Sequence, residues 1–181
     1  DGVNVKDYSF DALYDRIGYV TQKAVLLSGD IRENVTFGES RGGTSDADVE
    51  RALELSQAAE FVHKLPDGIH SPIAEGGSNV SGGQKQRLSI ARALARRPEI
   101  LVFDDSFSAL DYRTDARLRA GLAKELGQTT RLIVAQRIGT IRDADQIIVL
   151  DEGRVVGKGT HRELMRTCPV YQEIARSQLS E

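Results

Sequence analysis

The sequence predicts an α/β fold built on a parallel sheet. The second half holds three apolar runs, ILVF, RLIVA and QIIVL, each separated from the next by helical or polar sequence. Strands that alternate with helices typically form a parallel sheet covered on both faces. The 181 residues, 40% of them hydrophobic, suit one domain, or most of one, with a core of its own.

The first half supplies one strand and several helices. The apolar run IGYVT, residues 17–21, predicts a buried strand with Gln22 at its end. The segment DIRENVTFG predicts one short helix that begins at Asp30 and ends at a glycine. An N-cap cluster and an apolar stripe then predict a mainly helical stretch over about residues 46–63.

A loop follows these predicted helices. Residues 65–84 are dense in Gly, Pro, Ser and Asn and predict a long loop, since the strong helix GQKQRLSIARALARR follows at once. Pro98 ends that helix, and the three apolar runs come after it. The segment DEGRVVGKG then predicts a turn and an edge strand, and HRELM and VYQEIARSQL predict two closing helices.

Composition excludes several classes of protein. With 24 basic and 27 acidic residues, the chain lacks the positive excess of proteins held to nucleic acid by its phosphates. Cys168, the one cysteine, cannot form an internal disulfide and has no zinc-type partners, so we expect a structural thiol in a reducing compartment. No stretch approaches the roughly 18 apolar residues of a membrane span, so we expect no direct membrane insertion of this segment.

The segment SGGQ is a candidate phosphate site. It comprises Ser81, Gly82, Gly83 and Gln84, immediately before the long predicted helix. Free backbone N–H groups and the helix dipole favour an anion there, and glycines let backbone approach a phosphate closely. A serine N-cap with a glycine turn would give the same pattern, so the segment alone leaves both interpretations open.

The segment ILVFDD is a candidate magnesium site. Asp104 ends a predicted buried strand at the carboxyl edge of the sheet, where ligands of open α/β folds bind. A carboxylate there can hold Mg²⁺ directly or through water. Either Asp104 or Asp105 could instead be a helix cap or a salt-bridge residue, and Asp111, in the segment SALD, could cap the next helix.

These segments resemble the motifs of the ATP-binding cassette (ABC) family. VSGGQKQRLSIARALARRPEILVFDDSFSALD, residues 80–111, is similar to its signature motif, Walker B strand and D-loop, without a break in order or spacing. IGYVTQ resembles the Q-loop strand, IAEGG the exporter X-loop and LIVAQR the H-loop strand. LLSGDIRENVTFG further resembles exporters whose cassette is fused to membrane helices, so the resemblance covers nearly the whole chain.

The resemblance implies a fold and a biological setting. The fold would be a P-loop NTPase, with a RecA-like parallel-sheet core at residues 1–43 and 97–181 and an inserted α-helical signature subdomain at about 44–96. Its N-terminal part, including the P-loop strand, would be absent. The protein would couple ATP binding and hydrolysis, with Mg²⁺, to export at the cytoplasmic face of the cell membrane.

The resemblance also implies roles for residues. In this family two cassettes sandwich two nucleotides head to tail, so the SGGQ segment would contact the γ-phosphate of ATP on a second cassette. Gln22 would touch Mg²⁺ or the attacking water and relay the state of the site to the coupling helices of a transmembrane domain, and Asp104 would belong to the magnesium shell. Ser108 and Asp111 would form the D-loop, with Asp111 bridging to the partner cassette.

Glu75 would match the X-loop glutamate that couples the cassette to the membrane domain. The usual Glu-Arg-Gly of that loop is Glu-Gly-Gly in this sequence, which weakens the inference.

Three departures from the family pattern affect function. The P-loop motif G-x-x-x-x-G-K-[ST], which family order puts about thirty residues before Asp1, is not in the sequence. We therefore expect a truncated cassette that binds ATP poorly by itself. Asp105 stands where the catalytic glutamate is usual, one methylene shorter, and a misplaced general base costs on the order of a hundredfold. Gln136 stands where the H-loop histidine is usual and cannot carry a positive charge.

Asp105 and Gln136 would belong to the same composite site, whereas the SGGQ segment that a partner would use is intact. The sequence therefore suggests the catalytically weak half of a heterodimeric exporter. A soluble ABC ATPase of the translation or DNA-repair type is a second interpretation, although no coiled coil fits between Gln22 and Ser81. A non-hydrolysing nucleotide-binding module that stabilises a dimer is a third.

Overall fold

The computed structural model describes residues 2–38 and 43–179. They fall into two compact units, a larger unit, Asp1–Val134, and a smaller unit, Ala135–Glu181. The strands of the larger unit are β1 (Ile17–Val20), β2 (Gly29–Asp30), β3 (Pro72–Ile73), β4 (Ile100–Asp104) and β5 (Thr130–Val134). Its helices are α1 (Phe10–Tyr14), α2 (Ile31–Thr36), α3 (Asp46–Leu55), α4 (Ala59–Val62), α5 (Gly82–Ala95) and α6 (Tyr112–Glu125).

A three-stranded parallel sheet forms the centre of the larger unit. Its strand order is β1-β4-β5, with Val20 opposite Phe103 and Phe103 opposite Ile133. The predicted parallel sheet is therefore confirmed for the runs IGYV, ILVF and RLIV. Because the three strands run in the same direction, the residues that follow β1 and β4 meet at one edge of the sheet.

The first helices begin at side-chain caps. The Asp30 side chain accepts from the backbone N–H of Glu33 at 2.7 Å, and the Glu33 side chain accepts from the backbone N–H of Asp30. This capping box starts α2 at the residue that the sequence predicts. The predicted helical stretch after it is two helices, α3 and α4, because Gln57 takes a left-handed φ of 62° between them.

Helix α5 packs against one face of the central sheet. Leu88, Ile90 and Ala91 are fully buried on this helix. A Cβ atom on Gly18 of β1 would lie 2.9 Å from both Leu101 Cδ2 and Pro98 Cγ, so only a glycine allows this approach. On the other face of this sheet, three apolar side chains of the described strands are more than half exposed, namely those of Tyr19, Leu132 and Val134.

The smaller unit is a hairpin packed with helices. Its elements are α7 (Ile138–Ile141), β6 (Ile147–Asp151), β7 (Arg154–Gly159), α8 (His161–Thr167) and α9 (Pro169–Leu179). The prediction that the run QIIVL is a parallel strand was wrong, since β6 pairs antiparallel with β7. The turn explains this, because Glu152 (φ 44°) and Gly153 (φ 75°) both have the positive φ that a two-residue hairpin requires.

Cys168 belongs to the core of the smaller unit. It is 3% exposed and packs with Ile147, Val149, Leu164 and Tyr171. A Cβ atom on Gly157 would lie 2.8 Å from its Sγ atom. The structural interpretation of this thiol therefore agrees with its packing.

Two further predictions are not decided by these elements. The division into a RecA-like core and a signature subdomain is functional and stays a prediction, and part of its first segment, residues 39–42, lies outside the described residues. Among the helices that the structure describes, none is long and apolar enough to cross a bilayer.

Candidate functional site

Gln22 and Asp105 meet at the carboxyl edge of the central sheet. Gln22 follows β1 and Asp105 follows β4, and the two strands are neighbours. The Gln22 Nε2 atom donates a hydrogen bond to Asp105 Oδ2 at 3.2 Å. Asp105 is only 7% exposed, whereas Gln22 is exposed. Gln22 and Asp105 are 83 positions apart in the sequence and are in direct contact in the structure.

The backbone of Asp105 sets the direction of its carboxylate. Its φ is 45°, its N–H donates to the carbonyl oxygen of Val134 at 2.9 Å, and its own carbonyl accepts from Ser108 Oγ at 2.7 Å. A left-handed residue at the end of β4 stops the strand, and Asp adopts this conformation more readily than most residues. Ser108 of the predicted D-loop therefore supports the turn that presents Asp105 to Gln22.

Asp104 lies on the exposed face of the sheet and contacts Tyr19. The Tyr19 hydroxyl donates to Asp104 Oδ2 at 2.8 Å. That hydrogen bond, with burial and the negative charge of Asp104, raises the pKa of Tyr19 above its usual value. Sequence reasoning missed Tyr19, although strand alternation could have found it, because Tyr19 and Asp104 are an even number of register positions apart.

The oxygen atoms at this edge suit magnesium. Asp104 and Asp105 supply carboxylates and Gln22 supplies an amide oxygen, which are the hard ligands that Mg²⁺ prefers. Among the described residues no group of three or more His, Cys, Asp or Glu side chains could hold a metal ion. Magnesium usually takes only one or two protein carboxylates and completes its shell with water and phosphate oxygens, so this donor set fits the ion.

The SGGQ segment forms the N-terminus of α5. Ser81 is the N-cap, and its Oγ atom accepts from the backbone N–H of Gln84 at 3.3 Å. The Gln84 Oε1 atom accepts from the backbone N–H of Ser81 at 2.8 Å. A Cβ atom on Gly82 would meet nothing within 4 Å, so the backbone there is open to an approaching group. The capping interpretation is confirmed, and the cap pairs the N–H groups of Ser81 and Gln84 at the start of a 14-residue helix.

Asp111 caps α6. Its Oδ1 atom accepts from the backbone N–H of Thr114 at 2.9 Å, and its Oδ2 atom accepts from Thr114 Oγ1 at 2.7 Å. These hydrogen bonds, the backbone one first, hold the pKa of Asp111 below its usual value. The capping alternative for Asp111 is confirmed, and a bridge to a partner cassette stays a prediction.

Glu75 begins a short 3₁₀ turn, Glu75–Gly77, and is exposed. Gly76 has a φ of 60°, and its carbonyl accepts from Lys85 Nζ at 2.9 Å. Glycine adopts this left-handed φ without the strain that a side chain would bring. The coupling role of Glu75 stays a prediction.

Side chains of α5 also hold the segment around Gln22. Gln86, 1% exposed, donates from Nε2 to the carbonyl oxygen of Thr21 at 3.2 Å. Arg92 donates to the carbonyl oxygens of Val25 at 3.0 Å and Asn34 at 2.7 Å. Burial lowers the pKa of Arg92. Sequence reasoning missed both contacts, because they join positions 58 to 67 residues apart.

Gln136 belongs to the smaller unit. Its side chain is exposed, and its carbonyl oxygen accepts from Gln178 Nε2 at 2.7 Å. The remaining predicted site residues lie in the larger unit.

Comparison with known proteins identifies the class of domain. The structure superposes on a bacterial Atm1-family ABC exporter, solved with ATP bound, with a TM-score of 0.93 and 36% sequence identity over 100% of this chain and 32% of that chain. The fold is therefore that of the P-loop NTPase domain of an ABC exporter. The sequence profile of the ABC transporter matches residues 1–108, and the chain belongs to the ABC transporter family.

Curated relatives share this similarity over a part of their length. An ABC transporter ATP-binding protein of Mycobacterium tuberculosis is 46% identical over 182 residues, which cover 98% of this chain and 30% of that protein. An ATP-dependent lipid A-core flippase of Albidiferax ferrireducens is 39% identical over 178 residues, which cover 98% of this chain and 30% of the flippase. The chain thus spans about a third of the length of these relatives.

Proposed function

We propose that this chain is part of the ATP-binding motor domain of an ABC exporter and supplies half of each of two nucleotide sites. The contact between Gln22 and Asp105 beside Asp104, at the carboxyl edge of a parallel sheet, carries the proposal. Bound ATP would supply the phosphoryl group that reacts, and Mg²⁺ would neutralise the negative charge of the phosphates. The site would lie at the cytoplasmic face of a membrane, next to transmembrane helices of the exporter.

Each residue has a task in this proposal. Asp104 would hold the magnesium shell, and Gln22 would orient water and relay the state of the site to the coupling helices. Asp105 would act as the base toward the attacking water, and Gln136, which stands where the H-loop histidine is usual, would donate a hydrogen bond to phosphate. The SGGQ segment, Ser81, Gly82, Gly83 and Gln84, would contact the γ-phosphate of ATP held by a second cassette through the backbone at Gly82 and Gly83, since the N–H groups of Ser81 and Gln84 already pair within the capping box. Glu75 contacts the coupling helices, and Ser108 and Asp111 shape the D-loop against the second cassette.

We further propose that this chain's own site is the weaker one. Asp105 is shorter than the usual glutamate, and its carboxylate is already held at 3.2 Å by Gln22. Gln136 can donate a hydrogen bond to phosphate but cannot carry a proton through a reaction cycle. The 181 residues also contain no G-x-x-x-x-G-K-[ST] motif, so alone they would bind ATP poorly and turn it over negligibly.

The double substitution Asp105→Glu with Gln136→His tests the proposal. In the full-length exporter it should raise ATP turnover at this site by about tenfold or more, since it restores a longer carboxylate and a titratable imidazole. Turnover is measured as phosphate release at saturating Mg-ATP. Unchanged turnover would show that these two residues do not limit the site.

A module that binds nucleotide only to hold a dimer together is the second candidate, because Asp105 and Gln136 both weaken catalysis. In that case the double substitution and the parent would both show no hydrolysis, while ATP would still promote association of the two cassettes.

A further inference from the structure

Gln178 clamps the segment that carries Gln136. Its Nε2 atom donates to the carbonyl oxygen of Gln136 at 2.7 Å, and its Oε1 atom accepts from the backbone N–H of Ile138 at 2.8 Å. The side-chain amide of Gln178 thus pairs with the carbonyl oxygen of Gln136 and with the N–H group of Ile138, two residues further along the chain. A neighbouring β-strand holds a chain with the same pair of bonds.

The packing of α9 fixes the position of this amide. Tyr171 and Ala175 are each 1% exposed, and Gln178 follows them at the spacing of one helix face. The Tyr171 hydroxyl is also within hydrogen-bond distance, 2.8 Å, of His161 Nδ1 on α8. Core contacts of the smaller unit therefore hold the helix that presents Gln178, while the Gln178 side chain itself is exposed.

The clamped segment includes the start of a short helix. Ile138 begins α7, a helix of four residues, and a helix this short is not stable by itself. The N-cap residue of α7, Arg137, makes no capping hydrogen bond with its side chain. The Ile138 N–H is one of the first donors of a helix and has no partner within that helix, so Gln178 supplies an acceptor from 40 residues away.

We propose that Gln178 is a positioning residue for Gln136. It would hold the peptide from which the Gln136 side chain extends and so set where that side chain meets phosphate. The proposal rests on the phosphate-facing role given to Gln136 above. A shift of about 1 Å at a catalytic position can cost on the order of a hundredfold in rate, so loss of the clamp should have a measurable effect.

The first test measures the clamp itself. Hydrogen–deuterium exchange of the full-length exporter should be about tenfold faster at the Ile138 amide in Gln178→Met, which removes both hydrogen bonds at similar side-chain length. Gln178→Glu keeps an acceptor, so the Ile138 amide should stay protected in it. Glu173→Met changes an exposed residue of the same helix and should match the parent. Equal Ile138 exchange in Gln178→Met and the parent would overturn the clamp.

The second test measures function as a double-mutant cycle. ATP turnover and the KM for ATP are compared for Gln178→Met, Gln136→Ala and the combination of both, in a full-length exporter that also carries Asp105→Glu, so that this chain's own site contributes to the measured turnover. If Gln178 acts through Gln136, the two single variants change the same kinetic parameter and the combination is no worse than Gln136→Ala. A merely structural role would make the two effects add.

The outcomes separate the two proposals. If Gln136→Ala changes a kinetic parameter and Gln178→Met changes none, or adds to it independently, the positioning role is overturned and the role of Gln136 stands. If Gln136→Ala changes neither parameter, the role of Gln136 fails and the positioning role fails with it, whatever the exchange data show.

Discussion

Asp105 combines a functional side chain with an unusual backbone conformation. Its φ of 45° lies in the left-handed region, where Asp and Asn occur more often than other residues with a Cβ atom. Aspartate is shorter than the glutamate usual at this position, but it is well suited to the turn at the end of β4. A glutamate at this position gains reach but has no local hydrogen bond to offset the strain.

A matched pair of substitutions tests the conformation of Asp105. Asp105→Gly and Asp105→Ala both remove the carboxylate, but glycine adopts a positive φ without strain. We expect Asp105→Gly to be more stable than Asp105→Ala by about 1 kcal/mol, from thermal unfolding of the full-length protein. The same pair at Arg117, exposed on α6, should show the opposite order by about 1 kcal/mol. The same order at both positions would contradict a left-handed Asp105.

Asp111 gives a prediction for pH. Its folded-state pKa is depressed by its hydrogen bonds to Thr114, so its charge stabilises the folded state above the unfolded pKa of about 3.9. That contribution is lost as the pH falls through the folded pKa.

Asp111→Asn keeps one acceptor oxygen for the Thr114 N–H and removes the charge. We expect its melting temperature to lie below that of the parent by a constant amount between pH 7 and pH 5, and the gap to shrink below about pH 4. Added salt should also narrow the gap, since Asp111 is exposed. A gap that widens in acid would contradict this assignment.

Helix α5 connects three features of the larger unit. Its N-terminus presents the SGGQ segment, its buried face covers the central sheet, and its side chains hold the backbone on either side of Gln22. Arg92 makes the strongest of these links, with hydrogen bonds to Val25 O, Asn34 O and Asn34 Oδ1. The helix that we propose to contact a nucleotide on a second cassette thus also supports the Gln22 segment.

Substitution of Arg92 tests this support. Arg92→Met keeps much of the apolar stem and leaves the carbonyls of Val25 and Asn34 without these donors, at a cost of about 2 to 4 kcal/mol. Arg92→Lys restores a single donor group and should recover part of the loss. Arg113→Met, at an exposed residue of α6, should stay within about 0.5 kcal/mol of the parent. Thermal unfolding of the full-length protein gives the comparison, and equal effects at Arg92 and Arg113 would contradict the supporting role.

The elements also show how far the sequence alone predicts the structure. Local signals were sufficient for α2, whose cap Asp30 is visible in the sequence, and for the buried runs that form β1, β4 and β5. The apolar residues of β6 predicted a strand but not its antiparallel pairing, although the segment DEGRVVGKG correctly predicted the turn and the strand β7 that follow.

The candidate site likewise contains some contacts that the sequence predicts and others that it does not. The sequence predicted strands that end at Gln22 and at Asp104, and Gln22 and Asp105 meet because parallel strands bring their carboxyl ends together. It did not predict Gln86, Arg92 or Gln178, whose contacts depend on how helices pack. Residues that act by holding backbone leave no spacing pattern in a sequence.

At the scale of the whole molecule, the proposed function predicts a protein that works in pairs. The SGGQ segment is open at the N-terminus of α5, whereas the contact between Gln22 and Asp105 lies at the edge of the sheet. In a head-to-tail pair, this chain would lend its SGGQ segment to the partner's nucleotide and keep Gln22 and Asp105 for its own. Defects in one set of residues would then affect a different nucleotide from defects in the other.

This division predicts how turnover depends on a partner. The full-length chain purified alone should hydrolyse ATP on the order of a hundredfold more slowly than the chain purified with the exporter subunit encoded next to it. In the pair, Ser81→Arg should abolish most phosphate release, because it blocks the N–H groups that the partner's nucleotide needs. Asp105→Asn should change phosphate release by less than about twofold, because it alters a site that already contributes little. Full turnover by the chain alone, or a pair that depends on Asp105 as strongly as on Ser81, would mean that both sites are equally competent.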